Sequence, residues 1–376
     1  MKVLDSQKKR AVRRLLQELV DQDHARVIIP AYATNPGYWF GGGNLLQGED
    51  GVLWLCGRYR NAGDARTGLA AGQRGVECAV FRSDDAGGSF KKVLSWSKED
   101  LSGPDSHVVS IEGTALHRHA DGGVELFVSS EKKRLYPDHL ISYQKRGTGV
   151  WSIDRMVGRS VEELDSATSA TVLESRDRPE YLHLKDPVVF DDASGATVML
   201  FCSHPFTWAS GNTGLAIRHP GDTRFGVESW EIVSRGAAWD VASTRITGRI
   251  RIPDVGVFSS GMPCSAYFYD GCECVRELGE SEKAHKRPRG YSCEEIGGAF
   301  LGWEESLAGI DRLSDTEPFF VSPHGTGSSR YVDAVRTPDG LLATWQQSQP
   351  DGSQPLVAHC LPLDRAERIL QESPKG

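Results

Sequence analysis

The feature that most constrains this chain is a turn, Arg82-Ser83-Asp84-Asp85-Ala86-Gly87-Gly88-Ser89-Phe90, set between two strand-like runs, Glu77–Phe81 and Phe90–Leu94. Each residue type in it has a physical task. Asp85 is placed to accept backbone N–H groups across a hairpin, Gly87 and Gly88 supply positive φ, and Phe90 offers an apolar plug for the sheet beneath. Strand, tight turn, strand is therefore the local grammar to look for elsewhere.

It recurs. From Arg26 onward the chain is a series of short β-branched and aromatic runs punctuated by Gly, Pro, Asp and Asn. The clearest are Gly51–Tyr59, Gly123–Val128, Ala196–Cys202, Cys264–Tyr269 and Gly340–Trp345. No alternation of strands with long helices competes. The spacing predicts an all-β fold, a β-propeller of five blades with six as the alternative, although β-sandwiches also string short strands together. Residues 158–180 and 275–292 look inserted into this framework. The second carries Arg276, Lys283, Lys286, Arg287 and Arg289, the pattern of a solvated loop or of a pocket rim facing an anion.

Before the strands, residues 6–23 place Val12, Leu15, Leu16, Leu19 and Val20 on one stripe of a helix with a charged opposite face. The expected organisation is an N-terminal amphipathic helix in 1–25, one propeller domain in 26–366 and a C-terminal tail in 367–376. A chain of 376 residues with 39% hydrophobic content can bury a large core. Its net charge of −8 gives no broad basic face for nucleic acid or anionic lipid, so neither is an expected partner. The first ten residues lack the apolar core of a secretory signal, and no later run is long enough to span a bilayer, which points to the cytoplasm. Eight cysteines fit a reducing compartment. Cys264, Cys272, Cys274 and Cys293, with His285 between them, lie close in sequence but lack paired zinc-ligand spacing, so buried thiols are expected and no metal or organic cofactor is implied.

In a radial fold the inner strands converge on one axis, so acids near their starts meet although distant in sequence. Two stand out. Ser110-Ile111-Glu112-Gly113-Thr114 sets an acid among small and apolar residues, and His183-Leu184-Lys185-Asp186-Pro187-Val188-Val189-Phe190 sets another before a proline that biases Asp186 toward extended backbone. Either alone is explained by a turn or an inter-strand hydrogen bond. Matched placement of both favours a site, because glycoside cleavage needs one carboxyl to give a proton and a second, ionised, to activate water or attack carbon.

Lys185–Phe190 resembles the strand-opening Asp-Pro motif of the five-bladed propeller glycosidases, the superfamily of arabinanases, β-xylosidases, invertases and β-mannoside phosphorylases, and Ile111-Glu112-Gly113 is similar to their acid-bearing step. The resemblance implies that Glu112 and Asp186 serve as acid, base or nucleophile on a small carbohydrate substrate. The first repeat departs from the pattern. Where many relatives carry an Asp, this chain has Phe40-Gly41-Gly42-Gly43-Asn44-Leu45, so Asn44 is expected at the pocket as a binding residue.

A second resemblance is to sialidases. The turn at Ser83–Phe90 is similar to their Asp-box, Arg26–Ala31 to their opening segment, Arg58–Asp64 to their Arg and Asp order, and Ser329–Asp333 to the region supplying a late Arg or Tyr. By position it implies Arg58 and Arg330 as anion binders, Asp64 as acid and Tyr331 as nucleophile. The small, polar loop Ser322–Tyr331 would bring His324 and Arg330 to the pocket mouth, and Tyr38, Trp39, Trp208 and Trp303 are candidates to stack on sugar or to fill space between blades. The expected function is a glycosidase with paired carboxylates. The alternatives are a sialidase-type hydrolase with a Tyr nucleophile and a sugar-binding propeller without catalysis.

Overall fold

The computed structural model describes residues 4–61, 74–104, 106–144, 148–175, 177–206, 210–259, 261–273, 295–304, 307 and 309–372. Their strands form five antiparallel sheets arranged as a five-bladed β-propeller. Strand β1 (Arg26–Ile29) is set aside for closure. Blade 1 has an inner strand broken into β2 (Trp39–Gly41) and β3 (Leu45–Gln47), followed by β4 (Leu53–Arg60), β5 (Glu77–Ser83) and β6 (Lys91–Ser97). Blade 2 is β7 (Val108–Arg118), β8 (Val124–Lys132), β9 (Val150–Gly158) and β10 (Asp165–Leu173). Blade 3 is β11 (Leu182–Asp191), β12 (Thr197–His204), β13 (Asn212–Arg218) and β14 (Gly226–Val233). Blade 4 is β15 (Ser243–Arg251), β16 (Cys264–Cys272), β17 (Ile296–Trp303) and β18 (Asp311–Arg312). Blade 5 is β19 (Ser329–Arg336), β20 (Gly340–Gln347) and β21 (Leu356–Pro362), with β1 pairing to β21 as its outer edge.

Each of the five runs singled out in the sequence is the second strand of a blade: β4, β8, β12, β16 and β20. These strands are buried along their whole length, so their apolar content is dense enough to be read directly. The segment 158–180 is no insertion. It holds β10, a mostly exposed edge strand rich in Ser, Thr and Ala, which leaves no apolar alternation to detect. Segment 275–292 falls outside the described residues.

A ring of contacts joins the five inner strands around one axis. Thr114 N donates to Gly42 O (2.7 Å), Gly113 N to Asp186 Oδ1 (2.9 Å), Arg245 Nη1 to Asp186 Oδ2 (3.0 Å), Thr247 Oγ1 to Val332 O (3.0 Å) and Leu45 N to Asp333 Oδ2 (2.8 Å). Closure thus runs through blades 1, 2, 3, 4, 5 and back to 1.

The N-terminal segment secures that ring from outside. Helix α1 (Ser6–Leu19) is capped by Asp5, whose carboxylate accepts from Lys8 N at 2.8 Å, and it buries Ala11, Val12, Leu15, Leu16 and Leu19. A second helix, α2 (Leu363–Gln371), buries Ala366, Ile369 and Leu370 in the same cluster, together with Ile250 and Phe268 of blade 4 and Trp345 and Val357 of blade 5. Each fully buried aliphatic side chain contributes about 1.5–3 kcal/mol, so the two helices fasten the seam where the chain's two ends meet. The boundary expected at residue 366 falls inside α2, whose last turns occupy part of the segment read as a tail.

In the turn after β5, Ser83 Oγ donates to Asp85 Oδ1 (2.7 Å) and accepts from Gly87 N (2.9 Å), while Asp85 Oδ1 accepts from Ser89 N (2.8 Å). Positive φ falls on Ala86 and Gly87. Gly88 does not share the positive φ expected of it; a Cβ there would lie 2.8 Å from Asp85 Oδ2 and displace that carboxylate.

Candidate functional site

In an antiparallel blade the start of the inner strand lies beside the end of the second strand, so those two positions from all blades share one end of the axis. That end collects Glu112 of β7, Asp186 of β11, Arg245 of β15 and Arg330 and Tyr331 of β19, with Arg58 and Arg60 of β4 and Asp270 of β16 behind them. The inner strands are irregular there. The pairing register shifts between Ile111 and Thr114, between Lys185 and Val188, between Ile246 and Gly248 and between Arg330 and Asp333. Bulges turn side chains that would otherwise enter the sheet toward the axis. A small pocket on the axis is lined by Gly42, Gly113, Asp186, Ile246, Thr247 and Tyr331.

Asp186 is nearly buried, its side chain 4% exposed, with Arg245 Nη1 at 3.0 Å and Lys185 Nζ at 3.6 Å. Burial pushes its pKa up, but Lys185, Arg245 and Arg58 outweigh that and bring it down to about 2. Its φ is 53°, left-handed rather than the extended form expected before Pro187. The carboxylate in this conformation accepts from Gly113 N, while the backbone N–H of Asp186 donates to Ser129 Oγ at 3.1 Å. Gly113 is obligatory, since a Cβ there would lie 2.4 Å from Asp186 Oδ1.

Glu112 is the more open acid, its side chain 15% exposed, with Ser110 Oγ at 2.8 Å and Arg58 Nη2 at 3.6 Å. Burial raises its pKa, and Arg58 and Lys185 more than reverse this, leaving it below the ordinary value. Arg58 also donates to Gly41 O (3.2 Å) and to Tyr331 Oη (3.3 Å). Tyr331 has φ of 54° and lies under Arg245, whose guanidinium is 4.3 Å from the ring centroid. Burial raises the phenol's pKa, the direction that weakens it as a nucleophile.

Arg245 is the hub that sequence reading missed. It contacts Asp186, Asp270 Oδ2 (2.6 Å) and Glu295 Oε1 (3.0 Å). Asp270 also takes Tyr331 N on both oxygens, at 3.0 and 3.1 Å, and its burial pushes its pKa up to about 7 despite Arg245. Glu295, 26% exposed, bridges Arg245 to Arg330 and is held well below the ordinary carboxylate range: burial is outweighed by Arg245 and then Arg330. Nothing local set Arg245 apart, since β15 also carries Arg249 and Arg251.

The other expected site residues divide. Arg330 reaches the cluster through Glu295 and packs on Trp39, 4.2 Å from its ring centroid. Asn44 spends its amide on blade closure, donating to Leu116 O (3.0 Å) and accepting from Leu116 N (2.8 Å). His324 is exposed in a turn whose backbone is tied to Ser322 and Ser348. Trp303 packs against the helix-side core. Asp64 and Trp208 lie outside the described residues.

Cys264 and Cys272 are buried at opposite ends of β16, some eight residues or about 26 Å apart along the strand, too far for one metal. Cys274, Cys293 and His285 lie outside the described residues. Elsewhere, His117, His119 and Glu125 bring ligand atoms within 4.8 Å of one another. Glu125, however, receives Arg218 Nη1 and Nη2 at 2.7 Å each and Arg155 at 3.1 Å, so guanidinium groups fill the place a cation would take.

Among the described residues no helix is long and apolar enough to cross a membrane. No family model matches the sequence, and no curated protein matches it. Solved structures are similar in fold: an α-L-arabinofuranosidase from Lactobacillus brevis (10% identity, TM-score 0.51, 92% of this chain and 93% of that one) and a β-xylosidase (10%, 0.54, 90% and 95%). A protein described as a glycoside hydrolase is similar too (9%, 0.63, 96% and 97%). The chain therefore shares the five-bladed propeller architecture of glycoside hydrolases along nearly its whole length.

Proposed function

We propose that the chain is a glycoside hydrolase acting at the propeller axis, with Glu112 as proton donor and Asp186 as the ionised partner. The observation that carries this reading is that Asp186, which lines the axial pocket, accepts the N–H of Gly113, the residue next to Glu112, so two acids from adjacent inner strands lie near one another in unequal environments. Unequal environments are how two carboxyls take opposite roles. Asp186, braced by Arg245 and Lys185, stays an anion; it is suited to activate water, attack the anomeric carbon or stabilise positive charge there. Glu112 is held ionised chiefly by Arg58, which outweighs the effect of its burial together with Lys185. A sugar that expels water and occupies Arg58's donors weakens that hold and returns the carboxyl to the range where it can give a proton.

A panel of 4-nitrophenyl glycosides tests this. Glu112→Gln is expected to lose roughly 10²-fold or more in kcat on the substrate that the native chain cleaves. The loss should be much smaller on the matching 2,4-dinitrophenyl glycoside, whose leaving group needs no proton. Glycoside binding without cleavage by the native chain, or an equal loss on both leaving groups, contradicts the assignment.

A further inference from the structure

Left-handed backbone at residues other than glycine is concentrated at one end of this molecule. Among the described residues, Ala86 serves the turn after β5, whereas His183, Asp186, Phe206 and Tyr331 lie at the end of the axis that holds the acids. Asp186 and Tyr331 belong to the site, and His183 is braced by Tyr136, whose hydroxyl accepts its N–H at 2.9 Å. Phe206 has no place in that chemistry. Its φ is 63°, a conformation that bulky residues avoid and that persists only where the surroundings impose it. The residue is 46% exposed, so burial of its ring gives little in return.

Phe206 faces a second exposed ring. It lies between β12 and β13, and Tyr143, 36% exposed, lies between β8 and β9; their ring centroids are 6.1 Å apart at an angle of 54°. These connections follow the second strands of blades 3 and 2, the two blades whose inner strands carry Asp186 and Glu112. Both rings are anchored. Phe206 N donates to Pro179 O, while Gln144, next to Tyr143, accepts from Tyr136 N (2.9 Å) and donates to Thr148 O (2.6 Å). Tyr32, the other exposed aromatic among the described residues, has its ring on Tyr59 and its hydroxyl on Glu77. Phe206 stands four residues beyond Cys202, the pairing partner of Lys185, which sets the two rings up to about 13 Å outward along the chain from the acids. Aromatic faces suit the C–H face of a sugar ring, and a strained, exposed pair beside a cleft is the form a ligand platform takes.

We infer that Tyr143 and Phe206 form an outer sugar-binding platform at the mouth between blades 2 and 3, and that the substrate is an oligosaccharide extending from the acids to these rings. The inference rests on the carbohydrate reading of the site but not on cleavage. The full chain carrying Glu112→Gln, so that sugars persist, is titrated by calorimetry with linear arabino-, xylo- and manno-oligosaccharides of one to five units. In at least one series affinity is expected to rise roughly fivefold or more from the monosaccharide to the longer members, the effect of about one aromatic contact. Adding Tyr143→Ala or Phe206→Gly should remove most of that rise and leave monosaccharide affinity unchanged. In the otherwise native chain, Phe206→Gly should leave the melting temperature unchanged or raised, because glycine accepts the left-handed backbone that phenylalanine resists. Affinity that does not grow with length, no binding of any series, a rise untouched by both variants, or a lowered melting temperature in Phe206→Gly, the mark of a packing residue, overturns the inference. Length-dependent binding without cleavage of any glycoside by the native chain contradicts the hydrolase reading alone; cleavage with affinity independent of length contradicts this inference alone.

Discussion

Replacing Arg245 by Met tests whether one guanidinium holds the axis together. The side chain is 4% exposed and contacts Asp186 at 3.0 Å, Asp270 at 2.6 Å and Glu295 at 3.0 Å, and Met keeps much of its length without the charge. Removing one partner of a buried ion pair costs about 3–5 kcal/mol. Compensation is only partial. Asp186 keeps Lys185 and Gly113 N, Glu295 keeps Arg330, and Asp270 keeps Tyr331 N. The cost should depend on pH with a definite sign. Asp270, already up at about 7, and Asp186, now at about 2, both move upward without Arg245, so the folded variant binds more protons than the folded native chain. Each extra proton bound changes the difference by about 1.4 kcal/mol per pH unit. Urea unfolding should give a loss of about 3–5 kcal/mol at pH 8 that shrinks by at least about 1 kcal/mol at pH 6. A loss below about 1 kcal/mol at both values, or one that grows on acidification, would refute the role given to Arg245.

Two further outcomes follow from the same geometry. Gly113→Ala sets a methyl group 2.4 Å from Asp186 Oδ1, so denaturant unfolding should show a loss of about 1–3 kcal/mol together with impaired turnover, and unchanged stability and activity would mean that the two strands do not meet as described. His119 donates to Glu125 at 2.9 Å, and that hydrogen bond raises its pKa above 6.5. Its contribution is therefore complete below pH 6.5 and fades as pH rises through the folded value. His119→Gln should lower the melting temperature more at pH 5.5 than at pH 8.5; an equal loss at both would show that protonation plays no part.

How much of this was legible in the sequence depended on what kind of signal each residue leaves. Second strands such as Leu53–Arg60 and Thr197–His204 are buried on both faces and announce themselves by composition, whereas the exposed edge strand Asp165–Leu173 has no such mark and was read as an insertion. Glu112 could be singled out by its small and apolar neighbours and Asp186 by the proline after it, and the two strands meet where Gly113 N donates to Asp186 Oδ1. Arg245, Asp270 and Glu295 could not be singled out, because their importance lies in contacts across blades rather than in local pattern. Asn44 illustrates the converse: its position at the axis was anticipated, but both ends of its amide serve the junction of blades 1 and 2. Asp186 shows how a tertiary contact overrides a local rule, with Gly113 and Arg245 holding a left-handed backbone where Pro187 alone favours an extended one. Helix α2 carries a helical apolar repeat at Leu363, Ala366, Ile369 and Leu370, but the run is short and terminal, and its buried partner α1 lies at the other end of the chain.

The most direct measurement is a double-substitution cycle on turnover with Glu112→Gln, Asp186→Asn and the pair together. If both carboxyls act on one bond, each single change removes roughly 10²-fold or more of kcat and the double variant is little worse than the poorer single one. Near-native turnover in either single variant, or losses that multiply, would contradict a shared reaction at the propeller axis.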